Sequence, residues 1–172
     1  MKMDKIAGSQ NDEFYTPDYA IQPILKYIGE KSVWCPFDTK KSNFVKLISK
    51  QTHVEYSHIE KGEDFFKINK ECDIIISNPP YSLKYEVFKR LFELKKPFAM
   101  LVGVVGLFES KKRFEMFRDN EFEIMYFNKR ISYFKNYDDL KESLNPPFSS
   151  VYLCKNLLPK KIMFENIIKG KR

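Results

Sequence analysis

No stretch of the 172-residue chain strings together the roughly 18 apolar residues that a membrane-crossing helix needs, so no membrane span is expected. The opening Met1–Asp12 is polar and lacks the apolar core of a secretory signal; it reads as a flexible leader, and its composition argues against export. Cysteine is scarce and unpatterned. Cys35, Cys72 and Cys154 are odd in number, widely spaced and form no CxxC, which excludes an obvious zinc site or disulfide framework and suits a cytoplasmic protein. Histidine is scarcer still: His53 and His58 have no acid at ligand spacing, so no metal is expected. Linkers, repeats and low-complexity stretches are also missing. One folded domain over residues 13–158 is the expectation, with the leader over 1–12 before it and a basic tail over 159–172 after it.

The chain does carry apolar and aromatic residues in the proportions of a folded protein, and a formal charge of +7 that favours a polyanionic partner such as nucleic acid. Thr16-Pro17-Asp18 reads as a helix start, with a hydroxyl cap, proline at the first helical position and an acid in the first turn. Ala20, Ile21, Ile24, Leu25 and Ile28 follow at helical spacing. Strands are expected at 32–37, 53–57, 73–77, 98–105, 122–127 and 149–154. Helical patterns alternate with them around Phe44-Val45-Ile48, Tyr85-Phe88-Leu91-Phe92 and Ser110–Arg118. Continuous apolar strands separated by helices imply an α/β fold, a mostly parallel sheet with helices on both faces. Ligands of such sheets bind beyond the carboxyl ends of the strands.

One such end is distinctive. The triple-isoleucine strand Ile74-Ile75-Ile76 runs directly into Asn78-Pro79-Pro80-Tyr81. Two prolines make a rigid loop, from which the Asn78 side-chain oxygen and the Pro79 carbonyl can converge on one point. Two converging acceptors suit an NH2 nucleophile, and the Tyr81 ring suits stacking against a flat base. An ordinary proline turn with an aromatic plug is the plainer alternative.

Asn78-Pro79-Pro80-Tyr81 resembles the catalytic motif of the amino-methyltransferases, which include the N6-adenine DNA methyltransferases, here in a small phage-type arrangement. The resemblance spans Phe14 to Cys154. It implies a single-domain Rossmann-like fold with a seven-stranded sheet whose last strand is antiparallel, and S-adenosylmethionine as cofactor. Six strands are clear, and a seventh is expected around Arg130–Phe134. By the same resemblance Tyr15, Thr16 and Pro17 hold the methionine end of the cofactor, and Asp64 and Phe65 its adenine. Pro36, Phe37, Asp38, His58 and Asn78 complete the cofactor set.

Two segments depart from the pattern. After the first strand the chain reads Cys35-Pro36-Phe37-Asp38, with cysteine at the place of an acid and no glycine following; Asp38 and Ser42 are placed to compensate. His58 stands where an acid usually grips the ribose, with Glu55 and Glu60 nearby. On the substrate side, Lys111, Lys112 and Arg130 are candidate phosphate contacts, and Tyr133, Phe134 and Tyr137 candidate clamps for an extruded base. A solvated charged face and ordinary core packing are the respective alternatives. The function expected is methyl transfer to an exocyclic amino nitrogen, adenine N6 in DNA first, with RNA or protein glutamine as other substrates. Lys135–Pro146 is too short for a large recognition domain, so sequence specificity is expected to be short or relaxed, or to be lent by a protein partner. The rival is a binding module on this fold that has lost catalysis.

Overall fold

The computed structural model describes residues 14–138 and 142–169, without the side chains of 142–144. The leader expected over 1–12 and the end of the expected tail lie outside the described residues. In chain order come helix α1 (Asp18–Leu25), strand β1 (Val33–Cys35), helix α2 (Asn43–Ile48), strands β2 (Val54–Tyr56) and β3 (Ile74–Ser77), and helix α3 (Lys84–Leu94). Strand β4 (Phe98–Gly103), helix α4 (Lys111–Arg118) and strand β5 (Glu123–Phe127) follow. A small ribbon of β6 (Tyr133–Phe134) and β7 (Glu142–Leu144) precedes β8 (Ser150–Lys155) and β9 (Ile162–Glu165).

Seven strands form one sheet in the order β2-β1-β3-β4-β8-β5-β9. Strands β2, β1, β3 and β4 are mutually parallel, β8 runs antiparallel between β4 and β5, and β9 is parallel to β5. The fold is therefore α/β with a mostly parallel seven-stranded sheet. Period-two alternation distributes its side chains between two cores. Val33, Cys35, Ile74, Ile76, Ala99 and Leu101 pack with Ile21, Ile24, Phe44 and Ile48 of α1 and α2. Trp34, Ile75, Phe98, Met100 and Val102 pack with Phe88, Leu91 and Phe117 of α3 and α4. Helices thus cover both faces, which is why these strands are apolar at nearly every position.

Three expectations need correction. The seventh strand is not the Arg130–Phe134 segment, because β6 leaves the sheet and pairs with β7 in the separate ribbon. It is β9, drawn from the segment expected as a basic tail: Ile162, Met163 and Phe164 pair with Ile124, Met125 and Tyr126. Glu165 secures this strand to the turn that follows α1, accepting from Lys26 Nζ at 2.6 Å and Tyr27 Oη at 3.1 Å. The antiparallel strand, β8, is consequently not the last in the chain. Finally, Thr16 does not cap α1. Pro17 occupies the N-cap position in extended conformation, and no side chain caps this helix.

From β1 the chain passes to β2 on one side and then crosses to β3 on the other. The loops leaving β1 and β3 separate there and open a crevice at their carboxyl ends.

Candidate functional site

Loops after β1, β2 and β3 meet the segment Phe14–Thr16 around a cavity of about 820 Å3. That is within the usual range for small-molecule and cofactor sites, roughly 300–1,000 Å3. The loop after β1 is held by polar bonds rather than by glycines. After β1, Phe37 N donates to Ser77 Oγ at 3.3 Å, Asp38 N to the Ser57 carbonyl at 3.1 Å and Thr39 N to Ser42 Oγ at 3.0 Å. The Ser77 hydroxyl donates in turn to the Asp38 carboxylate. Asp38 and Ser42, both buried, thus tie this loop to β3 and the start of α2. The same bonds commit these amide hydrogens to the fold.

After β2, Ser57 Oγ receives the Trp34 indole hydrogen at 2.9 Å, and His58 starts a single 3-10 turn over Ile59–Lys61. His58 Nδ1 accepts from Glu60 N at 3.2 Å. A neutral ring then carries its proton on Nε2 and is a donor, which is the wrong polarity for gripping ribose hydroxyls as an acceptor. Glu60, next to His58, is among the acids that line the cavity. Glu55 turns elsewhere, to His53 at 3.0 Å and Lys70 at 3.8 Å. Farther along, Asp64 Oδ1 accepts from Phe66 N at 3.0 Å, closing a local turn that sets Phe65 and Phe66 edge-on to one another with centroids 5.3 Å apart. Phe65 packs against Phe37 at 4.9 Å. Tyr56, Ile59, Phe66 and Leu83 line the same cavity with unusually exposed apolar surface.

After β3, Asn78 Nδ2 donates to the Phe14 carbonyl at 2.8 Å and to Thr16 Oγ1 at 3.2 Å. A carbonyl can only accept, so the amide nitrogen must face Phe14 and the side-chain oxygen must face away. That oxygen, Asn78 Oδ1, is shielded from solvent and has no hydrogen-bond partner among the described residues. Such an orphan acceptor costs about 1–3 kcal/mol and calls for an explanation.

Of the expected cofactor residues, Tyr15, Thr16, Pro36, Phe37 and Asp38 line this one cavity. His58, Asp64, Phe65 and Asn78 join them there, as does Pro80. Pro17 does not; it is buried at the start of α1. The expected substrate residues are dispersed. Tyr81 is only 8% exposed and stacks on Phe14, so it is not an open platform. Tyr133 is fully buried, its hydroxyl 2.8 Å from Ser150 Oγ, and burial pushes its phenol up to about 12. Core packing therefore takes Tyr133 away from any clamp. Phe134 instead makes a backbone bridge with Tyr15, its N–H donating to the Tyr15 carbonyl at 2.9 Å. Lys111 lies 4.0 Å from Glu115, Lys112 sits over the Tyr85 ring at 5.7 Å, and Arg130 is exposed. All three stay on the carboxyl edge of the sheet but outside the cavity.

Several lining residues were not among the expected ones. Lys40 and Lys41 flank the mouth, where Lys41 pairs with Asp138 at 2.9 Å. Tyr137, expected as a clamp for an extruded base, also lines the cavity: its Oη accepts from Thr16 N at 3.3 Å, and its ring lies edge-on to Tyr15 at 4.7 Å. Burial raises the Tyr137 phenol pKa. No spacing signal connects Tyr137 to Thr16 across 121 positions; their contact comes from the ribbon folding back.

Neither a protein-family model nor a curated protein matches the sequence. A solved chain described as a modification subunit of a type I restriction enzyme, from Vibrio vulnificus, is similar with a TM-score of 0.48 and 13% identity, over 89% of this chain. The match covers 46% of that chain, so the present chain spans about half its length. Among the described residues no helix is long and apolar enough to cross a membrane, and no group of His, Cys, Asp or Glu is placed to hold a metal ion.

Proposed function

We propose that the protein is an S-adenosylmethionine-dependent methyltransferase acting on an exocyclic amino nitrogen, with N6 of adenine in DNA as the target. The observation that carries this reading is the orphan acceptor Asn78 Oδ1 beside a cofactor-sized cavity. An incoming amino group satisfies it by donating one hydrogen, and the Pro79 carbonyl is the second acceptor in the motif. Held so, the nitrogen keeps its lone pair directed at the donor, and much of the acceleration comes from position and orientation.

The cavity suits the cofactor on chemical grounds. Phe37, Phe66 and Leu83 offer apolar surface for an adenine ring, while Asp64 and Glu60 offer acceptors for its amino group and ribose. Lys40 and Lys41 offer cations for a carboxylate, in place of the backbone amides that a glycine-rich loop would present. The bound cofactor would supply an activated methyl group; the chain's residues hold and aim its acceptor. A basic net charge of +7 supports a nucleic-acid substrate, and a protein partner would add sequence specificity.

A second reading, a partner-binding module without transfer, is favoured by the loop after β1, whose amides at Phe37, Asp38 and Thr39 are already bonded. Calorimetric titration separates the two. The methyltransferase reading expects S-adenosylhomocysteine to bind in the micromolar range and to weaken on Asp64→Ala, with labelled methyl passing from S-adenosylmethionine to adenine-containing DNA. No heat with either ligand at millimolar concentration would end it. Label passing instead to RNA or to a glutamine-containing peptide would keep the chemistry and change the substrate.

A further inference from the structure

Four aromatic rings meet beside Asn78. Phe14 lies on Tyr81 with centroids 4.8 Å apart and planes at 24°, a stacked pair. Tyr133 stands edge-on to Phe14 at 5.2 Å, and Phe148 is tilted against Tyr81 at 5.8 Å. The two members of the stacked pair are held differently. Tyr81 is tied by its hydroxyl to Tyr133 Oη at 3.2 Å, which is tied in turn to Ser150 Oγ at 2.8 Å. Lys84 Nζ adds a cation 5.3 Å from the Tyr81 centroid. Phe148 packs on bare backbone, since a Cβ at Gly103 would lie 2.6 Å from its ring. The Phe14 ring, half-buried, has ring contacts and no polar anchor.

Phe14 also borders the cavity, whereas Tyr81 does not. Phe14 thus adjoins both the cofactor-sized space and the Tyr81 ring. Asn78 Oδ1, close by, is out of reach of solvent. An amine can reach that oxygen only after a neighbour leaves. Tyr133 and Tyr81 are locked by their hydroxyls, whereas the Phe14 ring has no polar tie of its own.

We propose that Phe14 is a built-in occupant of the target slot: its ring holds the place on Tyr81 that the aromatic amine of the substrate takes by displacing it. This rests on the methyl-transfer reading above and extends it. The exchange is ring for ring. A heteroaromatic amine regains stacking on Tyr81 as Phe14 departs, and also satisfies Asn78 Oδ1. A carboxamide side chain satisfies the oxygen but restores no stacking, so Phe14 discriminates against it.

The test uses 2-aminopurine riboside as a fluorescent probe, titrated with the cofactor cavity saturated by S-adenosylhomocysteine. Removing an internal competitor raises the population of the open slot, so Phe14→Ala is expected to bind the probe about tenfold more tightly than the unsubstituted protein. A glutamine-containing tripeptide should gain nothing. Equal probe affinity in both proteins overturns the proposal, as does a larger gain for the peptide. Phe14→Leu keeps the apolar bulk without the aromatic face; it should also tighten probe binding, and it carries the test if Phe14→Ala does not fold. Calorimetry of S-adenosylhomocysteine with the unsubstituted protein runs in parallel. Binding there without any gain on removing Phe14 overturns this proposal alone, and no binding there overturns it together with the methyl-transfer reading.

Discussion

Asn78 Nδ2 reaches Thr16 Oγ1 across 3.2 Å, and that bond diverts the threonine hydroxyl from the helix it precedes. A residue with the sequence signature of a helix cap is used instead to set the angle of the carboxamide. Thr16→Val keeps the shape and removes the hydroxyl, so it should cost little stability while letting Asn78 turn. We expect Asn78→Ala to lower kcat by about 100-fold or more, and Thr16→Val by roughly tenfold, with thermal midpoints near that of the parent protein. Steady-state methyl transfer is the measurement; an unaltered kcat in Thr16→Val would show that the phenylalanine carbonyl alone suffices to orient Asn78.

The acid nearest a ribose-gripping role is a matter of side-chain direction. Glu60 lines the cavity and Glu55 is engaged by His53 and Lys70 outside it. Glu60→Gln should therefore weaken S-adenosylhomocysteine by about tenfold, the order expected for one charged hydrogen bond, whereas Glu55→Gln leaves it unchanged. Isothermal titration of the two variants decides between them.

Glu123 has a purely architectural task. Its buried carboxylate accepts three backbone hydrogens, from Asn156 at 2.8 Å, Leu157 at 2.8 Å and Leu158 at 2.7 Å, and so holds the turn that leads from β8 towards β9. Glu123→Ala leaves those donors without their acceptor and should destabilise the fold by roughly 2–4 kcal/mol. Urea unfolding followed by circular dichroism would measure it.

Alkaline pH supplies a further check. Burial raises the phenol of Tyr133 from the ordinary 10.0 to about 12, and raises those of Tyr137 and Tyr152 as well. A raised phenol pKa means that folding favours the neutral ring. The stabilisation is complete below the unfolded value of 10.0 and is lost as pH climbs from there towards about 12. Stability should be flat near neutrality and fall across that window. In absorbance at the phenolate band, the buried tyrosines should ionise late and together with unfolding. Independent, reversible ionisation of every tyrosine near 10 would contradict their burial.

How much of this was legible beforehand follows from the range over which each signal acts. The apolar runs Ile74-Ile75-Ile76 and Phe98–Val102 declared strands buried on both faces, and they are. Their period and length are local properties, written in consecutive residues. The same holds for the helix expected over Ser110–Arg118: α4 spans Lys111–Arg118, and the Ser110 hydroxyl caps it, accepting from Arg113 N at 3.2 Å. Segments with weaker local signals were misplaced. Ile162–Glu165 is short, lysine-flanked and unremarkable by itself, and becomes a strand because β5 offers it an open edge.

The site divides along the same line. Rigid proline geometry after a buried strand already marked Asn78-Pro79-Pro80-Tyr81 as unusual, and the family resemblance, not geometry, named Phe37, Asp38 and Asp64. Residue order by itself determined the α/β class, six of the seven sheet strands and the candidate motif, because these depend on near neighbours in the chain. Tertiary structure alone decided that Phe14 stacks on Tyr81, that Tyr137 meets Thr16 and that Glu60, unlike Glu55, lines the cavity. Those outcomes depend on which distant groups compete for one donor, one ring face or one edge, and only the folded chain brings the competitors together.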